Sequence, residues 1–139
     1  MAQHVREVMT ADPVTVTEQT PLPEVAKLMR EKNIGDVFIT EEDHVRGLVT
    51  DRDLVIRAMA EDRDPAATPV SEVCSTDLVT VSPQDDIDQA VRLMREHALR
   101  RLPVVEEDHL VGALSIGDLA VERDPRSALA DISQAEPNR

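Results

Sequence analysis

Apolar residues recur along the chain at two spacings, and each spacing predicts one kind of element. Two stripes at helical spacing predict amphipathic helices; their members are Leu22, Val25, Ala26 and Met29, and Ile87, Ala90, Val91, Met94 and Ala98. β-branched runs at residues 13–16 and 79–81 predict a short strand before each helix. The pattern is therefore that of a mixed α/β protein.

Each predicted helix is followed by two runs typical of strands. Residues 36–40 and 44–49 predict a hairpin around a turn at 41–43, and residues 102–105 and 110–115 predict its counterpart around 106–108. Second helices follow, from 51 to about 60 and from about 116 to 123. Residues 5–10 predict one helical turn, and Thr20 and Ser82 are the predicted N-caps of the earlier helices.

The same order of elements occurs twice because the sequence itself is duplicated. Residues 5–54 align with residues 70–119 without a gap, and about 19 of the 50 pairs are identical. Such repeats stack on each other to bury their apolar faces. We predict a first repeat with its lead-in segment in residues 1–64, a linker at 65–69, a second repeat in 70–123, and a C-terminal tail at 124–139 with a short helix at 127–132.

Composition narrows the function. The chain has 139 residues, 15 Lys and Arg against 28 Asp and Glu, and a net charge of -13, which disfavours binding to nucleic-acid polymers or anionic membranes. It has no Trp or Tyr, and Phe38 is its one aromatic residue, so no aromatic stacking platform can form. The single cysteine, Cys74, predicts a small buried side chain in a reducing compartment. With no apolar run of spanning length, we expect a cytoplasmic protein.

One motif of the duplication carries candidate chemistry. Gly47 and Gly112 each precede two apolar residues, a hydroxyl, and a carboxylate three positions beyond the hydroxyl, giving the pairs Thr50 with Asp53 and Ser115 with Asp118. Such a pair before a helix is a capping box. It also suits a nucleotide, because a carboxylate accepts hydrogen bonds from ribose hydroxyls while a hydroxyl and free N–H groups at a helix start suit phosphate. The glycines would allow a ligand or a partner strand to approach closely.

With the repeat and its motifs in view, the chain resembles a stand-alone tandem pair of cystathionine-β-synthase (CBS) domains, the Bateman module. The matching residues are Val8 to Thr10 before Pro13 to Val16, Met29 to Glu31, the doubled motif, and His97 with Arg100 to Val105. The resemblance implies an α/β (α+β) fold of two β-α-β-β-α repeats packed through their sheets with pseudo-twofold symmetry. It also implies a non-enzymatic regulatory sensor that requires no cofactor.

The resemblance further implies a ligand and an assembly. In this family, clefts between the two repeats commonly bind an adenosine compound such as AMP, ADP, ATP or S-adenosylmethionine. Two such modules often form a homodimer, and the module usually regulates another protein, here unidentified. The alternative hypothesis is a ligand-free dimerisation or partner-docking module in which the motif pairs are only helix caps.

By resemblance, the nucleotide-binding residues belong to three groups. The motif pairs would hold ribose and phosphate, arginines would supply positive charge, and apolar residues would contact adenine. We predict unequal sites, because Arg52 lies inside the first motif whereas Gly117 replaces it in the second, where the charge comes from residues 100 and 101. The full set is Thr50, Asp53, Ser115, Asp118, Arg52, Arg100, Arg101, Val14, Ile34, Val37, Leu99, Leu102 and Pro103.

A metal site is a weaker interpretation. Glu-Glu-Asp-His occurs at residues 41–44 and again at 106–109, and carboxylates beside an imidazole could bind a divalent cation. We interpret both as solvated hairpin turns, because four ligands of fixed geometry are not evident. No metal and no catalytic residue is predicted.

Overall fold

The computed structural model describes residues 3–123, so the predicted tail at 124–139 and its helix at 127–132 lie outside the described residues. The first half of the chain contains β1 (Thr10–Ala11), β2 (Thr15–Val16), α1 (Leu22–Lys32), β3 (Asp36–Glu41), β4 (His44–Thr50) and α2 (Asp51–Asp53), which continues as a π-helix over Leu54–Met59. The second half contains α3 (Ile87–His97), β5 (Arg101–Glu106), β6 (His109–Ser115) and α4 (Ile116–Arg123). Single 3-10 turns occupy Val5–Glu7, Pro65–Ala67 and Val70–Glu72.

Two small sheets confirm the predicted α/β class. One has the strand order β2-β3-β4 and the other β1-β6-β5. Strand β2 is parallel to β3, and each hairpin is antiparallel. Both hairpins close through two residues with positive φ, namely residues 42 and 43 and residues 107 and 108, as the predicted turns require.

The strand predicted at residues 79–81 is reduced to a single bridge between Val81 and Val104. The cause is a proline. In the first half, the Phe38 N–H donates to the Val14 carbonyl at 3.1 Å and helps to extend the parallel pairing. Pro103 stands at the equivalent position and has no N–H, so that bond cannot form.

The chain divides into two compact units that do not coincide with the two sequence repeats. In the described part, one unit is continuous, residues 14–78, and the other combines residues 3–13 with residues 79–123. We call residues 3–13 the first lead-in segment and residues 68–78 the second. Each lead-in segment therefore packs in the unit that contains the helices and hairpin of the other repeat.

Both lead-in segments are held by backbone hydrogen bonds and by buried valines, Val5 in the first and Val70 and Val73 in the second. Val5 is fully buried and its N–H donates to the Asp85 carbonyl at 2.9 Å. Val70 is equally buried and its N–H donates to the Thr20 carbonyl at 2.8 Å. Burying a valine contributes about 1.5–3 kcal/mol, so each segment is part of a core.

The predicted apolar stripes form the cores, with two exceptions. Leu22, Val25 and Met29 are buried in one unit, and Ile87, Ala90 and Met94 in the other. Ala26 is exposed, at the edge of its stripe. Ala98 is also exposed, because α3 has already ended there in a left-handed residue with φ 54°.

The helix caps predicted at Thr20 and Ser82 are wrong. The N-caps are Pro21 and Asp86, and neither caps through its side chain. The lead-in segments supply acceptors instead: the Leu22 N–H donates to the Thr68 carbonyl at 3.3 Å, and the Ile87 N–H to the Gln3 carbonyl at 3.0 Å. A cap provided by a distant segment leaves no local sequence signal. Between residues 3 and 123, no helix is long and apolar enough to cross a membrane.

Candidate functional site

The first copy of the motif forms a corner, residues 47–53, where β4 runs into α2. The Asp53 N–H donates to Thr50 Oγ1 at 3.1 Å, and the Thr50 N–H donates to Asp53 Oδ2 at 2.9 Å. These reciprocal bonds are a complete capping box, so the interpretation of this pair as a helix cap is confirmed.

The second corner, residues 112–118, is built in the same way where β6 runs into α4. The Asp118 N–H donates to Ser115 Oγ at 3.1 Å, and the Ser115 N–H donates to Asp118 Oδ2 at 2.9 Å. In both corners the cap uses the Oδ2 atom of the aspartate. The Oδ1 atom is therefore outside the capping box in both repeats.

The lead-in segments explain the glycine of each corner. A Cβ placed on Gly112 would lie 2.6 Å from Met9 Sδ and 3.0 Å from the Thr10 carbonyl oxygen. One placed on Gly47 would lie 2.9 Å from Cys74 Sγ and 3.1 Å from the Ser75 carbonyl oxygen. All four distances are shorter than ordinary contacts, so each glycine allows a neighbouring backbone segment to approach closely. Of the two predicted reasons for these glycines, a ligand or a neighbouring segment of the chain, the structure shows the second.

The first corner has its early helical N–H groups occupied by the protein itself. The Asp51 N–H donates to the Gly35 carbonyl at 2.9 Å, and the Arg52 N–H donates to Asp51 Oδ1 at 2.8 Å. Together with the Asp53 bond to Thr50, these contacts use the donors that we expected to be available to phosphate. That expectation is wrong for the first corner.

The second corner differs at this point. The Ile116 N–H donates to the Arg100 carbonyl at 2.9 Å, which matches the first corner. However, the isoleucine side chain has no oxygen, so it cannot accept from the Gly117 N–H as Asp51 accepts from Arg52.

The charges around the corners are also unequal. Arg57 Nε lies 3.5 Å from Asp53 Oδ1, and Arg57 Nη1 donates to the Cys74 carbonyl at 3.2 Å. Asp53 is therefore partly neutralised, and its side chain is 14% exposed. By sequence, the position equivalent to Arg57 is Glu122, so the second repeat does not supply this cation.

The other predicted site residues are distributed between the surface and the cores. Arg52 and Arg100 are exposed, and Arg101 is half-buried. Three apolar candidates are almost completely buried, Val37, Leu102 and Pro103. The remaining three, Val14, Ile34 and Leu99, are only partly buried and pack against the cores.

Sequence reasoning missed Asp51 in the first corner and Arg57, which lies beside it. The signal for Arg57 was its position four residues after Asp53 on a helix, where opposite charges meet. The signal for Asp51 was an aspartate at the first helical position, where negative charge is favoured.

Cys74, which the sequence predicted to be buried, is only half-buried. The Cys74 thiol donates to the Ser71 carbonyl at 3.5 Å, and burial raises the pKa of this thiol above its ordinary value. Next to the first hairpin turn, hydrogen bonding to Glu41, with burial, raises the pKa of the Glu18 carboxyl. No group of three or more His, Cys, Asp or Glu side chains within residues 3–123 is placed to hold a metal ion.

Two α/β repeats, each with a Ser/Thr-x-x-Asp corner, define a tandem-repeat module. The chain belongs to the CBS domain family, whose sequence profile matches residues 5–59 and 70–123. Such pairs are generally regulatory modules.

Known relatives resemble the chain over nearly its full length. The CBS domain-containing protein YhcV of Bacillus subtilis is 41% identical over 133 residues, which are 93% of this chain and 94% of the relative. The crystal structure of Hypoxic Response Protein I with two coordinated zinc ions is 34% identical, with a TM-score of 0.77, covering 84% of this chain and 96% of that one. A putative acetoin utilization protein (AcuB) from Vibrio cholerae is 29% identical, with a TM-score of 0.79, covering 99% and 100%.

Proposed function

We propose that this protein is a regulatory module that binds an adenosine nucleotide at its Ser/Thr-x-x-Asp corners. The observation that carries the proposal is the equivalence of the corners: both aspartates use only Oδ2 in the cap, with the same 2.9 Å distance. A carboxylate has two oxygens and about four acceptor positions. The cap therefore leaves Oδ1 of Asp118 to accept from ribose hydroxyls, so the two interpretations of the motif are compatible.

Ligand binding would regulate by shifting an equilibrium between arrangements of the protein. A ligand can do this only to the extent that it binds one arrangement more tightly than another. The regulated protein would recognise the favoured arrangement.

The first test is thermal stability and isothermal titration against AMP, ADP, ATP, S-adenosylmethionine and GTP. A ligand present at about 100 times its dissociation constant adds about 2.7 kcal/mol to the stability of the folded state. Zinc belongs in the same panel because Hypoxic Response Protein I was crystallised with two coordinated zinc ions. Lack of any shift with the adenosine compounds would refute the proposal.

Two substitutions of Asp118 distinguish its role as a helix cap from its role in nucleotide binding. Asp118→Asn keeps an oxygen that can accept from the Ser115 N–H but removes the charge. Asp118→Ala removes both, and loss of an N-terminal cap costs about 0.5–2 kcal/mol of stability. We expect both variants to lose nucleotide affinity and only Asp118→Ala to lose much stability. Unchanged affinity in both would leave the aspartate as a cap alone.

A second candidate function is self-association as a homodimer without a ligand. It is favoured by an exposed apolar surface on the π-helix, where Val55, Ile56 and Met59 are 50%, 46% and 71% exposed. Three large apolar side chains together in water are typical of an interface. A second copy of the chain is the proposed occupant.

Sedimentation equilibrium tests this function. Ile56→Lys combined with Met59→Lys should shift the protein to a monomer, whereas Glu61→Lys, at an exposed polar position just after the π-helix, should not. A wild-type protein that is monomeric at all concentrations would reject this function. Dimerisation that depends on AMP would mean that nucleotide binding controls self-association.

A further inference from the structure

Arg57 connects three parts of the continuous unit through one guanidinium group. Its Nε atom lies 3.5 Å from Asp53 Oδ1 in the first corner, and its Nη1 atom donates to the Cys74 carbonyl of the second lead-in segment at 3.2 Å. Arg57 itself belongs to the π-helix, Leu54–Met59. A single side chain therefore holds the π-helix to the corner and to the lead-in segment.

The same guanidinium group covers the oxygen that a ribose needs. Asp53 Oδ2 accepts from the Thr50 N–H at 2.9 Å in the capping box, so Oδ1 is the oxygen left for a ligand. The Asp53 side chain is only 14% exposed, and Arg57 lies against Oδ1. A ribose hydroxyl that donates to Oδ1 therefore takes the place of the guanidinium group. Displacement of that group also removes its hydrogen bond to the Cys74 carbonyl.

The helix that carries Arg57 has an unusual hydrogen-bond register. The Ala60 N–H donates to the Val55 carbonyl at 2.8 Å, across five residues instead of the four of an α-helix. π-Helices are rare and occur frequently at functional sites. In the second repeat, the equivalent residues 119–123 belong to the α-helix α4, and Glu122 stands at the position of Arg57. The π register therefore occurs in the repeat that has the arginine contacts.

The π-helix also carries the exposed apolar surface, which consists of Val55, Ile56 and Met59. The directions of these three side chains depend on the register, because a change from five-residue to four-residue hydrogen bonds rotates successive residues about the helix axis. An event that releases Arg57 can therefore alter the surface that a second copy of the chain would contact.

We propose that Arg57 couples ligand binding at the first corner to the apolar surface of the π-helix. A ribonucleoside whose hydroxyls donate to Asp53 Oδ1 releases Arg57 from Asp53 and from the Cys74 carbonyl. The released segment then adopts the α-helical register of its counterpart α4, and self-association through the apolar surface becomes weaker. This inference rests on the proposed function, for which it names the change that the ligand produces.

Arg57→Gln tests the competition for Asp53, because glutamine has no charge to pair with the carboxylate. Isothermal titration with adenosine in the full-length Asp118→Asn chain measures the first corner, since that substitution weakens the second. We expect Arg57→Gln to bind adenosine about two- to fivefold more tightly, as expected for loss of a partly exposed ion pair. Arg46→Gln is the matched control. It makes the same change in charge, and Arg46 pairs with Glu41 at 3.9 Å outside the corner.

Nuclear magnetic resonance measures the change in the helix. The chain has five methionines, and Met59→Leu identifies the methyl signal of Met59. Scalar couplings across hydrogen bonds identify the acceptor of the Ala60 N–H, which is the Val55 carbonyl in the π-helix and the Ile56 carbonyl in an α-helix. Adenosine added to the wild-type chain, and Arg57→Gln without ligand, should move the Met59 signal in the same direction and change the acceptor to Ile56. 2′,3′-Dideoxyadenosine, which lacks both ribose hydroxyls, should do neither.

Sedimentation equilibrium measures the effect on self-association. Arg57→Gln should raise the dimer dissociation constant several-fold relative to the wild-type chain, whereas Arg46→Gln should not. Equal dissociation constants for the two variants, or a wild-type chain that is monomeric at all concentrations, would overturn the link to self-association. Thermal midpoints of all variants verify that each is folded.

The outcomes distinguish this inference from the proposed function. If none of the adenosine compounds binds the wild-type chain, both are overturned. If adenosine binds but Arg57→Gln changes neither its affinity nor the Met59 signal more than Arg46→Gln does, only the coupling through Arg57 is overturned. Adenosine binding at the first corner that leaves the Ala60 N–H on the Val55 carbonyl would have the same meaning.

Discussion

Replacing Gly112 with alanine tests how closely the first lead-in segment packs against β6, with which its strand β1 pairs. The new methyl group would meet Met9 Sδ at 2.6 Å, Met9 Cγ at 3.2 Å and the Thr10 carbonyl oxygen at 3.0 Å. The methionine side chain can rotate away, but Thr10 belongs to β1, which pairs with β6 at Ala113. We therefore expect a backbone shift as well as a side-chain shift.

The expected loss follows from these contacts. Adding a methyl group to a well-packed region typically costs about 1–3 kcal/mol of unfolding free energy. A shift confined to Met9 would give the lower end of that range. If β1 moves, each broken ladder bond adds about 0.5–1.5 kcal/mol, giving the upper end.

Urea denaturation followed by far-ultraviolet circular dichroism is the suitable assay, because the chain has no Trp or Tyr to report by fluorescence. The double variant Met9→Ala with Gly112→Ala identifies the main obstacle. If that obstacle is the Met9 side chain, the double variant should lose less stability than the sum of the single variants. Gly47→Ala, which would meet Cys74 Sγ at 2.9 Å, is the equivalent test in the other unit.

Gly35→Ala is the matched control for these substitutions. The three atoms nearest to its new methyl group all belong to the Asp51 side chain, with the closest oxygen at 3.2 Å, and Gly35 does not have a positive φ. A compatible Gly→Ala substitution stabilises by about 0.4–1 kcal/mol, because it restricts the unfolded chain. Equal stabilities for Gly35→Ala and Gly112→Ala would refute the close approach of the lead-in segment.

Three further outcomes are expected. Ala98→Gly should raise the free energy of unfolding, measured in urea, by about 1 kcal/mol, because Ala98 ends α3 in the left-handed conformation with φ 54°. Asn33 ends α1 in the same conformation, so Asn33→Ala should lower the free energy of unfolding by a similar amount. Hydrogen bonding to Glu41 raises the pKa of Glu18 above 4.5, so the folded state holds that proton more tightly than the unfolded chain does. The free energy of unfolding should therefore fall as pH rises through the raised pKa. Glu18→Gln should reduce this fall, measured as urea midpoints from pH 4 to 7. The raised thiol pKa of Cys74 predicts slower alkylation by iodoacetamide at pH 8 in the folded protein than in urea.

Local patterns predicted the parts of the fold that local physics determines. The apolar stripe of α1 and the positions of the two hairpins are encoded within a few residues of where they occur, and the structure confirms them. The turns themselves are one residue shorter than predicted, because Glu41 and Glu106 belong to the strands. The capping boxes at Thr50 and Ser115 were also readable, because both partners lie within four residues.

The parts that could not be predicted depend on residues distant in sequence. Neither the carbonyl of Gln3 nor that of Thr68 is identifiable as a helix cap without knowing that the lead-in segments are exchanged. The loss of the strand at residues 79–81 required knowing that Pro103 lies opposite it. In the candidate site, Asp51 was overlooked because its role depends on occupying a donor that a ligand would otherwise use.

The exchange of lead-in segments sets an order of events during synthesis of the chain. Residues 14–78 form their unit from one continuous stretch, so this unit can be completed while the ribosome is still translating the second repeat. The first lead-in segment is made earliest but pairs with β6, about a hundred residues later. Val5 therefore stays in water until the residues of its core, which begin at Val81, have emerged, and a nascent chain halted before residue 81 would expose it.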